Sequence, residues 1–324
     1  MFIDLQKYNS AFNTTKILEK LFSNVDVSKF ENWKCLSDLY IDQGYLYIQL
    51  GKLNNSEEIY LKVLQLHRQF AEISDNKESR GLIVTYIQLG EIQSTRGNLN
   101  EAEEYYHKAL EIIEEITKIT DAVLSLRNLA TIYRKLGELQ FAQGNLKRAE
   151  ELYLKSLEIS EQLSKITDSV DFQNYLAEAY IKLGEIQSAM GMLNGAEEYY
   201  LKAIEICEEL ANITDSVIIR RNLAVTYGKV GEIQYARENL KEAEKYCHKG
   251  LEINEQLVVD SPDIDAYENL AIYYYKLAVI RKPYHWYYLE KALQIFSDLA
   301  NQYPNNEHFS HNRDIIKTIF EQEK

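Results

Sequence analysis

The feature that most constrains this chain is an internal repeat of 47 residues. A Leu-Gly-Glu or Val-Gly-Glu tripeptide recurs at that interval, with its glycine at Gly90, Gly137, Gly184 and Gly231. Tyrosines recur at the same step, at Tyr86, Tyr133, Tyr180, Tyr227 and Tyr274. Because repeats of this length pack mainly on their neighbours, the sequence predicts a repeat array and not a single large core.

Each repeat has the pattern of two amphipathic helices joined by a short turn. Residues 121–142 carry apolar side chains at three- and four-residue steps, which is typical of a helix with one buried face. Gln143-Gly144-Asn145 is a turn signal, and a second helix is predicted from about residue 147 to 165. The pattern predicts six helix pairs, at 29–73, 77–119, 120–166, 167–213, 214–259 and 262–302.

Glycine and proline mark the joints of the array. Most glycines occur in pairs seven residues apart, such as Gly137 and Gly144. We expect the first glycine of a pair to let two helices cross closely and the second to form the turn. In the fifth repeat, Glu238 stands where the second glycine is expected. The prolines are confined to the region where the regular pattern breaks down, at Pro262, Pro283 and Pro304, because long uninterrupted helices exclude them.

The ends of the chain are predicted to cover the terminal faces of the array. We divide the sequence into an N-terminal cap segment (1–28), a repeat array (29–302) and a C-terminal capping helix (303–324). A short leading helix is expected at 14–23 and a closing helix at 305–322, since repeat arrays need capped ends. The expected buried side of the closing helix consists of Phe309, Ile315, Ile316, Ile319 and Phe320.

Composition argues against several classes of protein. The 36 basic and 50 acidic side chains give a net charge of −14, which disfavours binding to nucleic acids and to anionic membrane surfaces. No apolar run approaches the length of a transmembrane helix. Cys35, Cys207 and Cys247 are too few and too scattered for a disulfide framework or a zinc site. With no signal-peptide pattern at the N-terminus, we expect a reduced, cytoplasmic setting.

The sequence also lacks the motifs that carry common chemistries. It contains no Walker-type loop, nucleophile elbow, His-Glu-x-x-His motif or Gly-x-Gly-x-x-Gly motif. We therefore expect no catalytic residues, no metal site, no cofactor and no small-molecule substrate. The chain is predicted not to be an enzyme.

The repeat resembles the tetratricopeptide repeat (TPR), in a long-helix bacterial variant. The residues that carry the resemblance in the third repeat are Tyr133, Leu136-Gly137, Gly144-Asn145, Ala149, Tyr153 and Ser156. The match covers about residues 33–300, but the usual period of the family is 34 residues, and its proline at the end of the second helix is absent here. The resemblance implies an all-α solenoid, a right-handed superhelix of about six antiparallel helix pairs with capping helices. It also implies a concave groove lined by the first helix of each pair.

One row of acidic residues falls at a position that the resemblance places in this groove. The row consists of Glu91, Glu138, Glu185 and Glu232. Four aligned carboxylates would form a negative stripe for a partner. Alternatively, Lys135, Lys182 and Lys229 lie three residues before three of these glutamates and can screen the stripe.

A second row lies about three turns earlier on the same helices. It combines arginines and asparagines, at Arg80, Arg127, Arg221, Asn128, Asn222 and Asn269. Asparagine is a poor residue for a helix interior because its amide competes for the backbone. Its recurrence therefore needs a reason. The amides either bond the loop of the neighbouring repeat or bond the backbone of a bound peptide.

These patterns favour a non-catalytic scaffold or adaptor that binds a protein or peptide in its groove, and a basic segment is one candidate feature of that partner. One alternative is a peptide-sensing regulator of the bacterial TPR type. Another is a regulatory subunit or arm of a larger enzyme or defence complex.

Overall fold

A computed structural model describes residues 20, 30–73, 80–118, 123–167, 169–281 and 285–322. These ranges contain thirteen α-helices and no strand. The first six are α1 (Phe30–Gln49), α2 (Leu53–Ile73), α3 (Arg80–Thr95), α4 (Leu99–Thr117), α5 (Val123–Ala142) and α6 (Leu146–Ile166). The others are α7 (Val170–Ala189), α8 (Leu193–Ile213), α9 (Val217–Ala236), α10 (Leu240–Asp260), α11 (Ile264–Ile280), α12 (His285–Gln302) and α13 (Glu307–Gln322).

The chain is an all-α solenoid built from helix pairs, as the sequence predicts. We number the pairs α1/α2 to α11/α12 as repeats 1 to 6, and call α1, α3, α5, α7, α9 and α11 the first helices. The division into a cap segment, an array and a capping helix stays a prediction. The leading helix expected at 14–23 and the segment 1–28 lie outside the described residues, apart from Lys20.

In repeats 1 to 4, the turn inside the helix pair is made by a glycine in the left-handed region, at Gly51, Gly97, Gly144 and Gly191. After α5, Gly144 has φ +80°, its N–H donates to the carbonyl of Phe141, and the Asn145 N–H donates to the carbonyl of Gln140. These two bonds form a Schellman motif, which satisfies carbonyls that the end of a helix leaves free. The motif recurs after α9 with Glu238 in the glycine position, at φ 62°. Glu238 is therefore a non-glycine residue held in a backbone region that L-residues disfavour.

The first glycine of each sequence pair, seven residues before the turn glycine, lies where two helices cross. A Cβ atom at Gly137 would come within 2.8 Å of the ring of Tyr153, which is 2% exposed. Gly90 faces Tyr106, and Gly184 faces Tyr200, in the same way. The predicted role of these glycines in close crossing is confirmed, because any larger residue would collide with a buried tyrosine.

The chain divides into two compact units, Met1–Ile159 and Ser160–Lys324, and the boundary falls within α6. The core of unit 1 includes a cluster of Tyr60, Leu64, Leu89 and Ile92. The core of unit 2 extends from Cys247 to the closing helix α13, where Phe309 and Ile316 are buried.

The buried face predicted for α13 is correct except at one position. Ile319 and Phe320 pack partly buried against the core of unit 2, together with the fully buried Phe309 and Ile316. Ile315 is 41% exposed, so its prediction as a buried residue is wrong. Ile315 lies at the edge of the apolar stripe, and α13 buries the centre of that stripe.

Polar relays join the first helices α3, α5 and α9 to the second helix of the preceding repeat. Gln93 Nε2 donates to Glu57 Oε1 at 2.6 Å, and Gln140 Nε2 donates to Glu103 Oε1 at 3.0 Å. An asparagine in the following turn donates to the oxygen of the same glutamine amide, as Asn145 does to Gln140 at 2.9 Å. Unit 2 has the same relay at Asn239, Gln234 and Glu197.

A second inter-repeat bond runs from a tyrosine hydroxyl to a glutamate nineteen residues earlier. The pairs are Tyr133–Glu114, Tyr180–Glu161, Tyr227–Glu208 and Tyr274–Glu255. Burial, and then donation to the carboxylate, raises the pKa of Tyr133 and that of Tyr180 to about 12. The hydrogen bond from Tyr227, and then the nearby Lys249 ammonium, lowers the pKa of Glu208. These bonds therefore favour a neutral tyrosine next to an ionised glutamate.

None of the helices in the described ranges is long and apolar enough to cross a membrane.

Candidate partner-binding site on the first helices

In unit 1, the glutamate row is joined into an ion-pair network. Lys135 Nζ lies 2.8 Å from Glu91 Oε1 and 3.3 Å from Glu138 Oε2. Arg134 Nη1 lies 2.5 Å from the other oxygen of Glu138. Because the Lys135 side chain is only 18% exposed and faces both carboxylates, it neutralises this part of the row and joins repeat 2 to repeat 3.

In unit 2, the remaining glutamates of the row are also paired. Lys182 Nζ lies 2.9 Å from Glu185, and Lys229 Nζ lies 3.8 Å from Glu232. Lys276 of repeat 6 reaches back to Glu232 at 3.0 Å, as Lys135 of repeat 3 reaches back to Glu91. The screening ion pairs considered from the sequence are thus formed, and none of the four glutamates is a bare carboxylate. A role of these glutamates in partner binding stays a prediction.

A crevice of about 230 Å³ opens beside the unit 1 part of the row. Its polar lining includes Glu91, Lys135 and Glu138, and its apolar lining includes Ile48 and Leu53. The crevice lies between consecutive repeats, at the end of the helices where the turn glycines are found. It can therefore accept an apolar group next to a hydrogen-bonding group.

The arginine and asparagine row differs between the two units. In unit 1, Arg127 is exposed and forms no ion pair with any described residue, and Asn128 is half-buried. The Arg80 side chain lies outside the described part of the structure. The exposed guanidinium of Arg127 is available to a carboxylate or to a peptide carbonyl.

In unit 2, the same row is used for contacts between repeats. Arg221 Nη2 lies 2.8 Å from Asp263, the residue that caps α11 by accepting from the Ala266 N–H. Asn222 Nδ2 donates to Asn174 Oδ1 of the preceding repeat at 3.2 Å. Asn269 is half-buried. For Asn222, the bond goes to the neighbouring first helix and not to the neighbouring loop.

Sequence reasoning missed the residues that connect the repeats. The glutamine–glutamate relays, the tyrosine–glutamate bonds and the lysines that reach back to the preceding repeat are absent from the predicted site. Each of these sets recurs at nearly the same interval as the glycines, so the periodicity itself contained the signal. The described residues include no group of three His, Cys, Asp or Glu side chains that could hold a metal ion.

Comparison with known proteins identifies the family. Residues 25–203 match the MalT-like TPR region, so the chain belongs to the tetratricopeptide-repeat family. Repeat domains of this family are typically non-catalytic scaffolds. No curated protein matches the sequence significantly.

Solved structures of other repeat proteins share the fold. The apo form of RapI is 15% identical and superposes with a TM-score of 0.61, covering 87% of this chain and 92% of RapI. The apo form of the quorum sensor NprR from B. thuringiensis is 14% identical with a TM-score of 0.61, covering 97% of this chain and 79% of NprR. BtubC from P. vanneervenii is 17% identical with a TM-score of 0.56, covering 82% of this chain and 92% of BtubC. At these identities the similarity concerns the fold.

Proposed function

We propose that this chain is a non-catalytic scaffold that binds a protein or peptide along its first helices, in a cytoplasmic setting. The observation that carries the proposal is the position of Arg127. This arginine is exposed without an ion pair to any described residue, although its counterpart Arg221 is held by Asp263 and Asp265. An unpaired guanidinium on a first helix is a group well suited to bind an extended chain.

The crevice beside Glu91 supplies a second contact, because its lining residues Lys135 and Glu138 lie on the same helix as Arg127. Arg127 lies eight residues before Lys135 on α5, which corresponds to about 12 Å along the helix. An extended peptide of about four residues spans that distance. We infer that a partner segment lies along α5, with a carbonyl or carboxylate at Arg127 and an apolar group at the crevice.

A preference for a basic partner segment would come from the net charge of the chain and not from the glutamate row. Each glutamate of the row is ion-paired, so the row itself presents little excess negative charge. The net charge of −14 still attracts basic partners through the long-range field of the protein, and this attraction weakens with salt. We therefore expect salt to reduce the rate of association more than it changes which residues are contacted.

Site-specific crosslinking tests the proposal. A photo-crosslinking amino acid replaces Arg127 on α5 or, as the control, the exposed Arg148 on α6, and crosslinked proteins from the native host are identified by mass spectrometry. We expect a discrete partner to crosslink from position 127 and not from position 148. Equal crosslinking at both positions, or none at position 127, would contradict binding along the first helices.

A peptide-sensing regulator is the second candidate. It is favoured by the similarity in fold to NprR, which is described as a quorum sensor. A sensor of this kind would be stabilised by a short peptide alone, whereas a scaffold would need a larger partner. Thermal unfolding in the presence of a peptide library separates the two, because a rise in Tm with one short peptide supports the sensor.

A further inference from the structure

The crevice of unit 1 has a counterpart in unit 2, three repeat periods later. A cavity of about 190 Å³ opens between α9, α10 and α11, with Glu232 and Lys276 in its lining. These two residues occupy the repeat positions of Glu91 and Lys135. The two cavities are therefore the same inter-repeat position with different side chains around it.

The substitutions make the unit 2 cavity apolar. Cys247 stands at the repeat position of Tyr106, and Val279 stands at that of Glu138. The smaller Cys247 leaves room where other repeats hold a tyrosine ring, and Val279 removes a carboxylate from the edge. Tyr235 takes the position of Ser94 and adds an aromatic side chain to the lining. We call this cavity the Cys247 pocket.

Behind the pocket, Cys247 belongs to a buried core cluster that also contains Tyr273. Tyr273 packs against Gly228 and Gly250, where Cβ atoms would lie 2.4 Å and 2.3 Å from it, and its hydroxyl donates to the carbonyl of Ala224. Cys247 is 1% exposed, and burial raises the pKa of its thiol to about 11. The lining of the pocket at Cys247 is therefore part of a packed core and carries a neutral thiol.

The rim of the pocket, in contrast, is exposed and includes the ammonium group of Lys276. Tyr235 is 43% exposed and Val279 is 38% exposed, which is high for large apolar side chains. The single carboxylate of Glu232 faces two ammonium groups, Lys276 at 3.0 Å and Lys229 at 3.8 Å. Lys276 lines the pocket and Lys229 pairs with the same glutamate, so an acidic residue of a bound segment can share these two ammonium groups with Glu232.

We propose that the Cys247 pocket binds one bulky apolar side chain, aromatic or branched, of a peptide segment with an acidic residue next to it. The size fits one side chain, since a cavity of about 150 Å³ holds a benzene ring, whereas pockets for drug-sized ligands start at about 300 Å³. The adjacent acid contacts Lys276 or Lys229. This inference rests on the proposed function as a peptide or protein scaffold and adds the chemistry of the bound segment.

Selection from a phage-displayed library of random dodecapeptides tests the proposal. We expect the peptides selected on the wild-type protein to share an aromatic or branched apolar residue beside Asp or Glu. We also expect them to bind Val279→Glu at least tenfold more weakly, because the apolar side chain of the peptide could no longer be buried in the pocket. The matched control is Val259→Glu, since Val259 is a 75% exposed valine on α10 that does not line the pocket.

The outcomes separate this inference from the proposed function. Selected peptides that bind Val279→Glu as tightly as wild type would overturn the pocket assignment and leave the scaffold proposal standing. Failure to select any peptide, or selection of sequences without the apolar–acidic pair, also overturns it. Sedimentation of the wild type and Val279→Glu tests whether a second copy of this chain occupies the pocket. Self-association of the wild type that Val279→Glu abolishes would identify that copy, and not a peptide, as the occupant. Tyr235→Ala provides a second variant that removes part of the lining, and circular dichroism verifies that each variant is folded.

Discussion

Replacing Gly184 with alanine is expected to destabilise repeat 4, whereas the same replacement at Gly231 in repeat 5 is expected to be nearly neutral. Alanine is favoured over glycine in a helix interior by about 1 kcal/mol. At Gly184 the new Cβ would lie 2.5 Å from Tyr200 Cε1, in a ring that is 1% exposed. Overpacking of this kind costs about 1–3 kcal/mol, so the net loss is about 0–2 kcal/mol.

At Gly231 the steric conflict is smaller. The nearest atom to a new Cβ is Cys247 Sγ at 2.9 Å, followed by the Ala243 carbonyl oxygen at 3.4 Å. A single thiol can change its rotamer more easily than a buried ring can move. The gain in helix propensity then roughly offsets the strain, and Gly231→Ala changes stability by less than about 1 kcal/mol.

Urea unfolding followed by circular dichroism measures both variants, and hydrogen exchange of the α7 and α9 amides reports the local effect. The Tyr200→Cys background supplies the control, because it removes the ring that the new methyl group meets. There we expect Gly184→Ala to become neutral or stabilising, a coupling of about 1–2 kcal/mol. An equal cost of Gly184→Ala with and without the Tyr200 ring would refute the steric explanation.

Three further predictions concern the turn, the inter-repeat bonds and the glutamate row. Glu238→Gly should raise stability by about 1 kcal/mol, measured as a higher urea midpoint, because glycine accepts φ 62° without strain; an unchanged or lower midpoint would contradict this. The pKa of Tyr133 is raised to about 12, so its neutral form stabilises the fold below about pH 10 and that contribution is lost as the pH rises towards 12. Tyr133→Phe, which cannot donate to Glu114, should therefore show a smaller fall in Tm over that range than wild type, and an identical fall would argue against the bond. Lys135→Met should lower stability by about 1 kcal/mol at low salt and by less at high salt, because it removes the ion pair to Glu91; a loss that is independent of salt would contradict an electrostatic origin.

The sequence predicted the local structure well because the same signals recur in every repeat. The positions of the helix pairs and the role of Gly144 in the turn follow from periodicity and from the backbone freedom of glycine, which are local properties. Ile315 was misplaced because the apolar stripe of α13 is wider than the face that the helix buries. An amphipathic pattern shows which side is apolar, but the neighbouring helix determines how much of that side is covered.

The candidate site was harder to predict because its contacts join different repeats. The sequence placed Lys135 beside Glu138 on one helix, but the closer partner of Lys135 is Glu91 in the preceding repeat. The Cys247 pocket likewise depends on residues from three helices, whose approach is set by packing. From the sequence, Cys247 is interpreted as a small buried apolar residue. The space that it leaves at the position of a tyrosine ring is visible only in the structure.

The relays between repeats have a consequence for how such a chain can change its length. A first helix presents the same glutamine, and a second helix the same glutamate, at each regular junction described within a unit, as at Gln93–Glu57 and Gln140–Glu103. Duplication of one whole repeat would create two junctions that already possess matching donors and acceptors. Gain or loss of a complete 47-residue segment is therefore a small change for this architecture, while gain or loss of a few residues within a helix would shift its register and break the bonds of that helix with its neighbours.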